Sequence, residues 1–168
     1  MQSKELFEKG ITFKEFVNGD SNSYREKTLE IYNKIDFHEE NYRRIKEIKE
    51  KINILICAEI WCPDCMINVP VLEKMKEANE NISISIVGKE GNEEYFQYFN
   101  EEGVLKIPTF VFLDEKFNVL GSFIERPSIV KKVQNSKNQP AIIVTMRKYK
   151  RGEYTEDTLV EILNILGV

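Results

Sequence analysis

The sequence contains few of the residues that build structural disulfides or metal sites. Three of its 168 residues are cysteine and one is histidine. Three cysteines cannot form the multi-bridge framework of a small secreted protein. Beyond Cys62 and Cys65, the candidates Cys57 and His38 lie far apart and do not supply the second ligand pair that a zinc site of about four ligands needs. The sequence therefore predicts no metal site and favours redox chemistry for its Cys-x-x-Cys pair.

Long apolar runs and a strong charge of one sign are also missing. No run approaches the roughly 18 apolar residues of a membrane span, and the charged residues 1–10 do not resemble a secretory signal. The net charge of -4 gives no overall attraction to nucleic acid. These absences predict a soluble, cytoplasmic protein, with neither a membrane nor a nucleic acid as partner.

The stretch Asn53 to Pro70 is the feature around which we expect the rest of the chain to be organised. Its run from Ile54 to Ile56 is short and β-branched, which is typical of a buried strand. Cys62 follows where that strand stops, Pro63 suits the first turn of a helix, and Cys65 lies one turn further on. Helix N–H groups and the helix dipole favour the thiolate of Cys62. The spacing lets the two sulfurs close a disulfide, with Cys62 attacking and Cys65 resolving.

The remaining pattern predicts an α/β fold. The helix after Cys62 should continue to about Asn79 with a kink at Pro70. Alternating apolar residues predict a strand over 82–87, and two further strands over 109–113 and 119–124 are joined by a five-residue turn that makes them an antiparallel hairpin. Strands that alternate with helices in this order predict a small mixed sheet with helices on both faces.

We expect one domain, since a chain of this length with 42% hydrophobic residues can bury a single sizeable core. Its predicted parts are a helical extension over 1–51, a motif-bearing core over 52–124, a basic insertion over 125–154 and a closing helix over 155–168.

The insertion stands out by its charge. Residues 125–152 hold eight basic residues and one acidic residue, a net +7, which leaves -11 for the rest of the chain. Helices are predicted over 128–134 and 140–151, although the β-branched run 142–145 leaves a strand possible. The positive charge either binds an acidic partner or neutralises the acidic body of the same molecule.

These motifs resemble the thioredoxin superfamily: Trp-Cys-Pro-Asp-Cys after an apolar strand, Pro70 eight positions past the first cysteine, and Ile-Pro-Thr before a second apolar strand. The resemblance implies a three-layer sandwich around a central mixed sheet of about four strands. It also implies that Pro108 is a cis proline beside the dithiol, that Ile107, Pro108 and Thr109 hold the backbone of a partner, and that Trp61 borders the binding groove.

Three positions should modulate the dithiol. Pro63 and Asp64 separate the cysteines, and an ionised Asp64 would oppose the Cys62 thiolate. We therefore expect the Cys62 pKa in the upper part of the range of about 3.5 to 7.5 seen at such sites, and a reducing potential. The buried acid of thioredoxins is replaced by Ile56, and Glu59 is either a substitute proton acceptor for Cys65 or a surface charge.

The sequence thus predicts a thiol-disulfide oxidoreductase that works in the reducing direction without a cofactor. It would cycle Cys62 and Cys65 through a mixed disulfide with a disulfide-containing protein or a small thiol, and an external donor such as a reductase would supply electrons. A redox sensor, or an adaptor that keeps the fold and binds a partner with little turnover, is the alternative.

Overall fold

A computed structural model describes residues 2–168; Met1, the first residue of the predicted helical extension, lies outside the described residues. The strands within this range are β1 (Ile52–Cys57), β2 (Ile82–Val87), β3 (Thr109–Leu113) and β4 (Val119–Ile124). The helices are α1 (Gln2–Lys9), α2 (Phe13–Asn18), α3 (Ser23–Lys34), α4 (Glu39–Lys46), α5 (Pro63–Ala78), α6 (Glu93–Gln97), α7 (Ser128–Gln134), α8 (Gln139–Lys150) and α9 (Thr155–Leu166).

The four strands form one mixed sheet in the order β2-β1-β3-β4. Strand β1 is parallel to β2 and antiparallel to β3, and β3 pairs with β4 as an antiparallel hairpin. The predicted mixed sheet and hairpin are both confirmed. Because β1 is a central strand, its carboxyl end places the following loop and α5 in the middle of the molecule rather than at a sheet edge.

Each face of the sheet packs against helices, and β1 contributes to both faces because its side chains alternate. Ile54 and Ile56 belong to the larger core, which includes residues of α3, α4, α5 and α9. Leu55 and Cys57 belong to a smaller core together with Phe96 of α6, and Leu6 and Phe7 of α1 pack against it. All six residues of β1 are buried, which explains why its sequence is almost continuously apolar.

The helical N-terminal segment closes one edge of the sheet. Ile11, between α1 and α2, forms an antiparallel bridge with Ile86 of β2, with N···O distances of 2.8 and 2.9 Å. Helices α3 and α4 pack against α5 instead. This segment therefore supports both the sheet and the helix that carries the cysteines.

Helix α5 starts as predicted, with Pro63 in its first turn, and it continues through Pro70 without ending there. In the basic insertion, residues 142–145 are helical within α8 rather than a strand. The helix-start signals decide this choice: the Asn138 side chain accepts a hydrogen bond from the Ala141 backbone at 3.2 Å, and Pro140 occupies the first turn. None of the helices in residues 2–168 combines the length and the apolar character needed to span a bilayer.

Candidate functional site

The two cysteines of the motif lie at the amino-terminal end of α5. Cys62 is the N-cap residue with extended backbone (φ -79°, ψ 121°), and its carbonyl accepts the first helical hydrogen bond from Met66 N at 3.0 Å. Cys65 follows within the first turn. Both thiols are free. The predicted placement of a dithiol at the positive end of a helix is what the structure shows.

The environments of the two thiols shift their pKa values in opposite directions. The pKa of Cys62 is lowered, first by its hydrogen bond with the Cys65 side chain and further by backbone N–H groups of Cys65 and Asp64, while burial opposes this shift. Burial raises the pKa of Cys65 well above its ordinary value, and the neighbouring Cys62 adds to the shift. Cys62 is also the more accessible residue, 5% exposed against 0% for Cys65. The pair can therefore act as one thiolate nucleophile with a neutral thiol behind it.

The segment before β3 lies directly against the nucleophile. The peptide bond between Ile107 and Pro108 is cis, as the resemblance implied, and the Cys62 thiol donates to the Ile107 carbonyl across 3.6 Å. The Pro108 carbonyl already accepts a hydrogen bond within the protein, from Glu125 N at 2.7 Å. Ile107 is the residue of this segment whose backbone adjoins the sulfur, so it is best placed to meet a partner bound there.

Trp61 and Thr109, both expected to contact a partner, lie in opposite environments. Trp61 is 53% exposed, and this large ring beside the dithiol is free to meet another molecule. Thr109 is fully buried; its hydroxyl donates to the Lys106 carbonyl at 2.6 Å and accepts from Asn100 at 3.2 Å. Its backbone belongs to β3, which is paired on both sides. The Thr109 side chain is therefore held inside the protein rather than presented to a partner.

Glu59 lies towards β2. Its Oε1 accepts a hydrogen bond from Lys89 N at 2.7 Å, and its charge raises the pKa of Cys57. The Cys57 pKa rises to about 12, mainly because that thiol is buried. Ile56 is fully buried in the core that also contains Cys65, so this part of the strand supplies no proton acceptor.

Asp64, which was expected to oppose the Cys62 thiolate, is paired with a cation. Its carboxylate accepts from Arg126 Nε at 2.8 Å and from Arg126 Nη2 at 3.1 Å, a two-pronged ion pair. The Tyr149 hydroxyl donates to the same carboxylate at 2.8 Å. Asp64 still raises the Cys62 pKa, but it ranks below the interactions with Cys65 and below burial. The expected opposition to the thiolate is thus present, and the Asp64 charge that exerts it is paired with a cation from the basic insertion.

A family model described as Thioredoxin matches residues 10–141. The chain belongs to the thioredoxin family. A thioredoxin of Mycoplasmopsis pulmonis (strain UAB CTIP) is 27% identical over 95 residues, which cover 53% of this chain and 87% of that protein.

Two solved structures resemble this thioredoxin-family chain over nearly its whole length. A crystal structure of a protein of unknown function from Pseudomonas aeruginosa has a TM-score of 0.85 at 28% identity, with 98% of this chain and 96% of that chain covered. An HIV epitope-scaffold also has a TM-score of 0.85, at 27% identity and the same coverage. The similarity therefore includes the N-terminal helices and the basic insertion as well as the thioredoxin motif region.

The ion pair of Asp64 is one end of a buried polar network that sequence reasoning missed. Asn68, one helical turn after Asp64 and fully buried, donates to the Tyr149 hydroxyl at 2.8 Å and to the Asp64 and Glu125 carbonyls at 3.0 Å each. Thr158 of α9 donates to the Asn68 side chain at 2.8 Å. The network thus joins the dithiol helix to the insertion and to the closing helix. The available signal was the spacing of Asp64 and Asn68, which places two polar side chains on one face of the otherwise apolar first half of the helix.

Proposed function

We propose that this thioredoxin-family protein is a thiol-disulfide oxidoreductase that reduces disulfides of a partner. The observation that carries the proposal is the contrast between the thiols: Cys62, with a lowered pKa, adjoins the Ile107 carbonyl beside the cis proline, while Cys65, with a raised pKa, is buried behind it. This is the arrangement that a nucleophile and its resolving thiol require.

The two cysteines supply both electrons that the reaction needs. The Cys62 thiolate attacks one sulfur of the partner disulfide, a Cys62 mixed disulfide forms, and the partner's other sulfur leaves as a thiolate that takes a proton. Cys65 then loses its proton, attacks the Cys62 sulfur and displaces the second partner thiol. Two electrons pass to the partner, the Cys62–Cys65 disulfide remains, and an external thiol or reductase must reduce it again.

The reducing direction rests on two effects that disfavour the thiolate of the reduced form. Burial and the Asp64 charge both oppose the lowering of the Cys62 pKa. A less stabilised thiolate makes the disulfide harder to reduce, which lowers the potential. We expect a reduction potential nearer about -270 mV than about -120 mV, the values of a cellular reductant and a strong oxidant of the same fold.

The test is the reduction of insulin by dithiothreitol, followed by turbidity, with and without the protein. We expect strong acceleration by the wild type and none by Cys62→Ser. Cys57→Ser is the matched control, because it removes a buried thiol of the same strand-helix unit outside the motif. Acceleration that survives in Cys62→Ser would refute the proposal.

A redox sensor is the second candidate, and the burial of Cys62 favours it. A cysteine residue that is only 5% exposed is hard for a protein substrate to reach. A sensor would form the Cys62–Cys65 bond readily, turn over slowly, and differ in protease sensitivity between its oxidised and reduced forms. Limited proteolysis of both forms, run beside the insulin assay, separates the two functions.

A further inference from the structure

A polar cavity of about 680 Å³ opens between β4, α7 of the basic insertion and the segment that precedes the cis proline. This volume is in the range of about 300 to 1,000 Å³ that is usual for small-molecule sites. The site residues described above do not account for the cavity, since the dithiol needs no such space to meet an extended peptide.

The cavity is lined by more cations than carboxylates. Its charged residues are Lys106, Arg126, Lys131 and Lys132 against Glu101 and Glu125. In residues 2–168 the ion pairs around the cavity join Lys106 and Arg126 to Glu125 at 3.9 and 3.8 Å, and Arg126 to Asp64 at 2.8 Å. Lys131 takes part in none of these pairs. It therefore retains a positive charge that can be offered to a ligand.

Lys131 also lies in an environment that disfavours its charged form. Burial lowers the pKa of Lys131, and the surrounding carboxylates only partly oppose this shift. A partly desolvated ammonium group gains more from an anionic neighbour than a fully hydrated one does.

The cavity adjoins the reactive sulfur through a chain of direct contacts. Lys106 precedes Ile107, whose carbonyl accepts from the Cys62 thiol at 3.6 Å. On the other side, Glu125 N binds the Pro108 carbonyl at 2.7 Å, and Arg126 holds Asp64 between the two cysteines. A molecule in the cavity would thus lie beside the segment against which the nucleophile packs.

We propose that this cavity binds the carboxylate-bearing part of a small anionic disulfide, whose sulfurs are thereby brought to Cys62. The proposal rests on the proposed dithiol function and names its substrate class. A small molecule fits better than an acidic protein, because the chain outside residues 125–152 carries a net -11 and repels an extended acidic surface. A small ligand inside the cavity, in contrast, interacts mainly with the lysines that line it and much less with the distant acidic residues.

The reaction is the exchange described above, with the small disulfide as electron acceptor. Cys62 forms a mixed disulfide with one half of the molecule and releases the other half as a thiol. Cys65 releases the second half, so one disulfide yields two thiols and the protein ends with a Cys62–Cys65 bond.

The experiment compares three symmetrical disulfides that differ in charge: dithiodiglycolate (anionic), hydroxyethyl disulfide (neutral) and cystamine (cationic). The fully reduced protein is mixed with each in a single turnover, and the remaining thiols are counted by mass after acid quenching and alkylation. Each rate is divided by the rate of the same disulfide with dithiothreitol, which removes differences in intrinsic reactivity.

We expect dithiodiglycolate to react about tenfold faster than cystamine at low salt after this correction, and the preference to shrink as salt rises. Lys131→Gln should slow the anionic disulfide about fivefold and leave the neutral one unchanged. Lys150→Gln, an exposed lysine of the same insertion outside the cavity, is the control for general loss of charge and should leave both rates unchanged.

Equal corrected rates for the three disulfides, or equal effects of the two lysine variants, would overturn the cavity proposal while leaving the dithiol function intact. Failure of all three disulfides to oxidise the protein would instead refute the proposed function itself.

Discussion

The two sides of the dithiol differ sharply in polarity. On the strand side, β1 holds Ile56 in the core that contains the dithiol and Cys57 in the core on the opposite face of the sheet; both are fully buried and without a charge. On the helix side, Asp64 and Asn68 belong to a hydrogen-bonded network with Arg126 and Tyr149. The strand side is therefore apolar, whereas the helix side supplies charged and polar groups close to the cysteines. Four predictions test this division, from the largest expected effect to the smallest.

The first prediction compares thiols from the two sides. Cys62, on the helix side, should react with iodoacetamide at least about a thousandfold faster than Cys57 at pH 7, because each pKa unit changes the thiolate fraction tenfold and the Cys57 pKa is about 12. The Cys62 rate should rise with pH and level off once the pH exceeds its pKa, with a midpoint below the value of about 8.5 for free cysteine. Alkylation followed by peptide mass spectrometry gives both rates, and a Cys62 midpoint at or above that value would contradict the prediction.

The second prediction concerns a polar substitution on the strand side. Ile56→Asp should lower the free energy of unfolding by about 3 to 5 kcal/mol, because it buries a carboxylate with no cation beside it. Ile56→Val is the matched control and should cost about 1 kcal/mol, since it only removes a methylene. Urea denaturation measures both values. If the two variants are equally stable, the strand side already contains a group that can satisfy the acid.

The third prediction removes the cation from the helix side. Arg126→Gln leaves Asp64 without its ion-pair partner, and since the two side chains are 22% and 12% exposed, we expect a loss of about 2 to 3 kcal/mol, below that of a fully buried pair. The Cys62 pKa should rise, because the Asp64 charge is then no longer offset.

The double variant Asp64→Asn with Arg126→Gln closes the mutant cycle for this pair. It should recover part of the lost stability and return the Cys62 pKa towards the wild-type value. Additive losses in the cycle would show that the pair is not coupled.

The smallest effect is expected for Tyr149→Phe, which keeps the ring and removes one hydroxyl from the network. We expect a loss of about 1 to 2 kcal/mol, because Asn68 and Asp64 each lose a buried hydrogen bond. Tyr24→Phe, at an exposed tyrosine, should change the stability by less than about 0.5 kcal/mol. Equal effects of the two variants would show that water replaces the Tyr149 hydroxyl without cost.

The same division explains what the sequence could predict. The strands and the start of α5 follow from local signals, namely the apolar run of β1 and the proline after Cys62. The state of Asp64 depends on Arg126 and Tyr149, which lie 62 and 85 residues further along the chain. Local pattern carries no information about such pairs, so the sequence predicted the charge of Asp64 but not its partners. The burial of Thr109 likewise depends on residues outside its own strand, namely Asn100 and two neighbouring strands.

The buried network also determines when the site is completed during protein synthesis. A ribosome releases the dithiol helix before the residues that complete its polar side, and the last of these, Thr158, lies 90 residues after its partner Asn68. Until α9 has left the exit tunnel, Asn68 lacks one of its partners inside the fold. The polar half of the site therefore becomes native only after residue 158 has been made, and a message truncated before that residue would yield a dithiol without its finished surroundings.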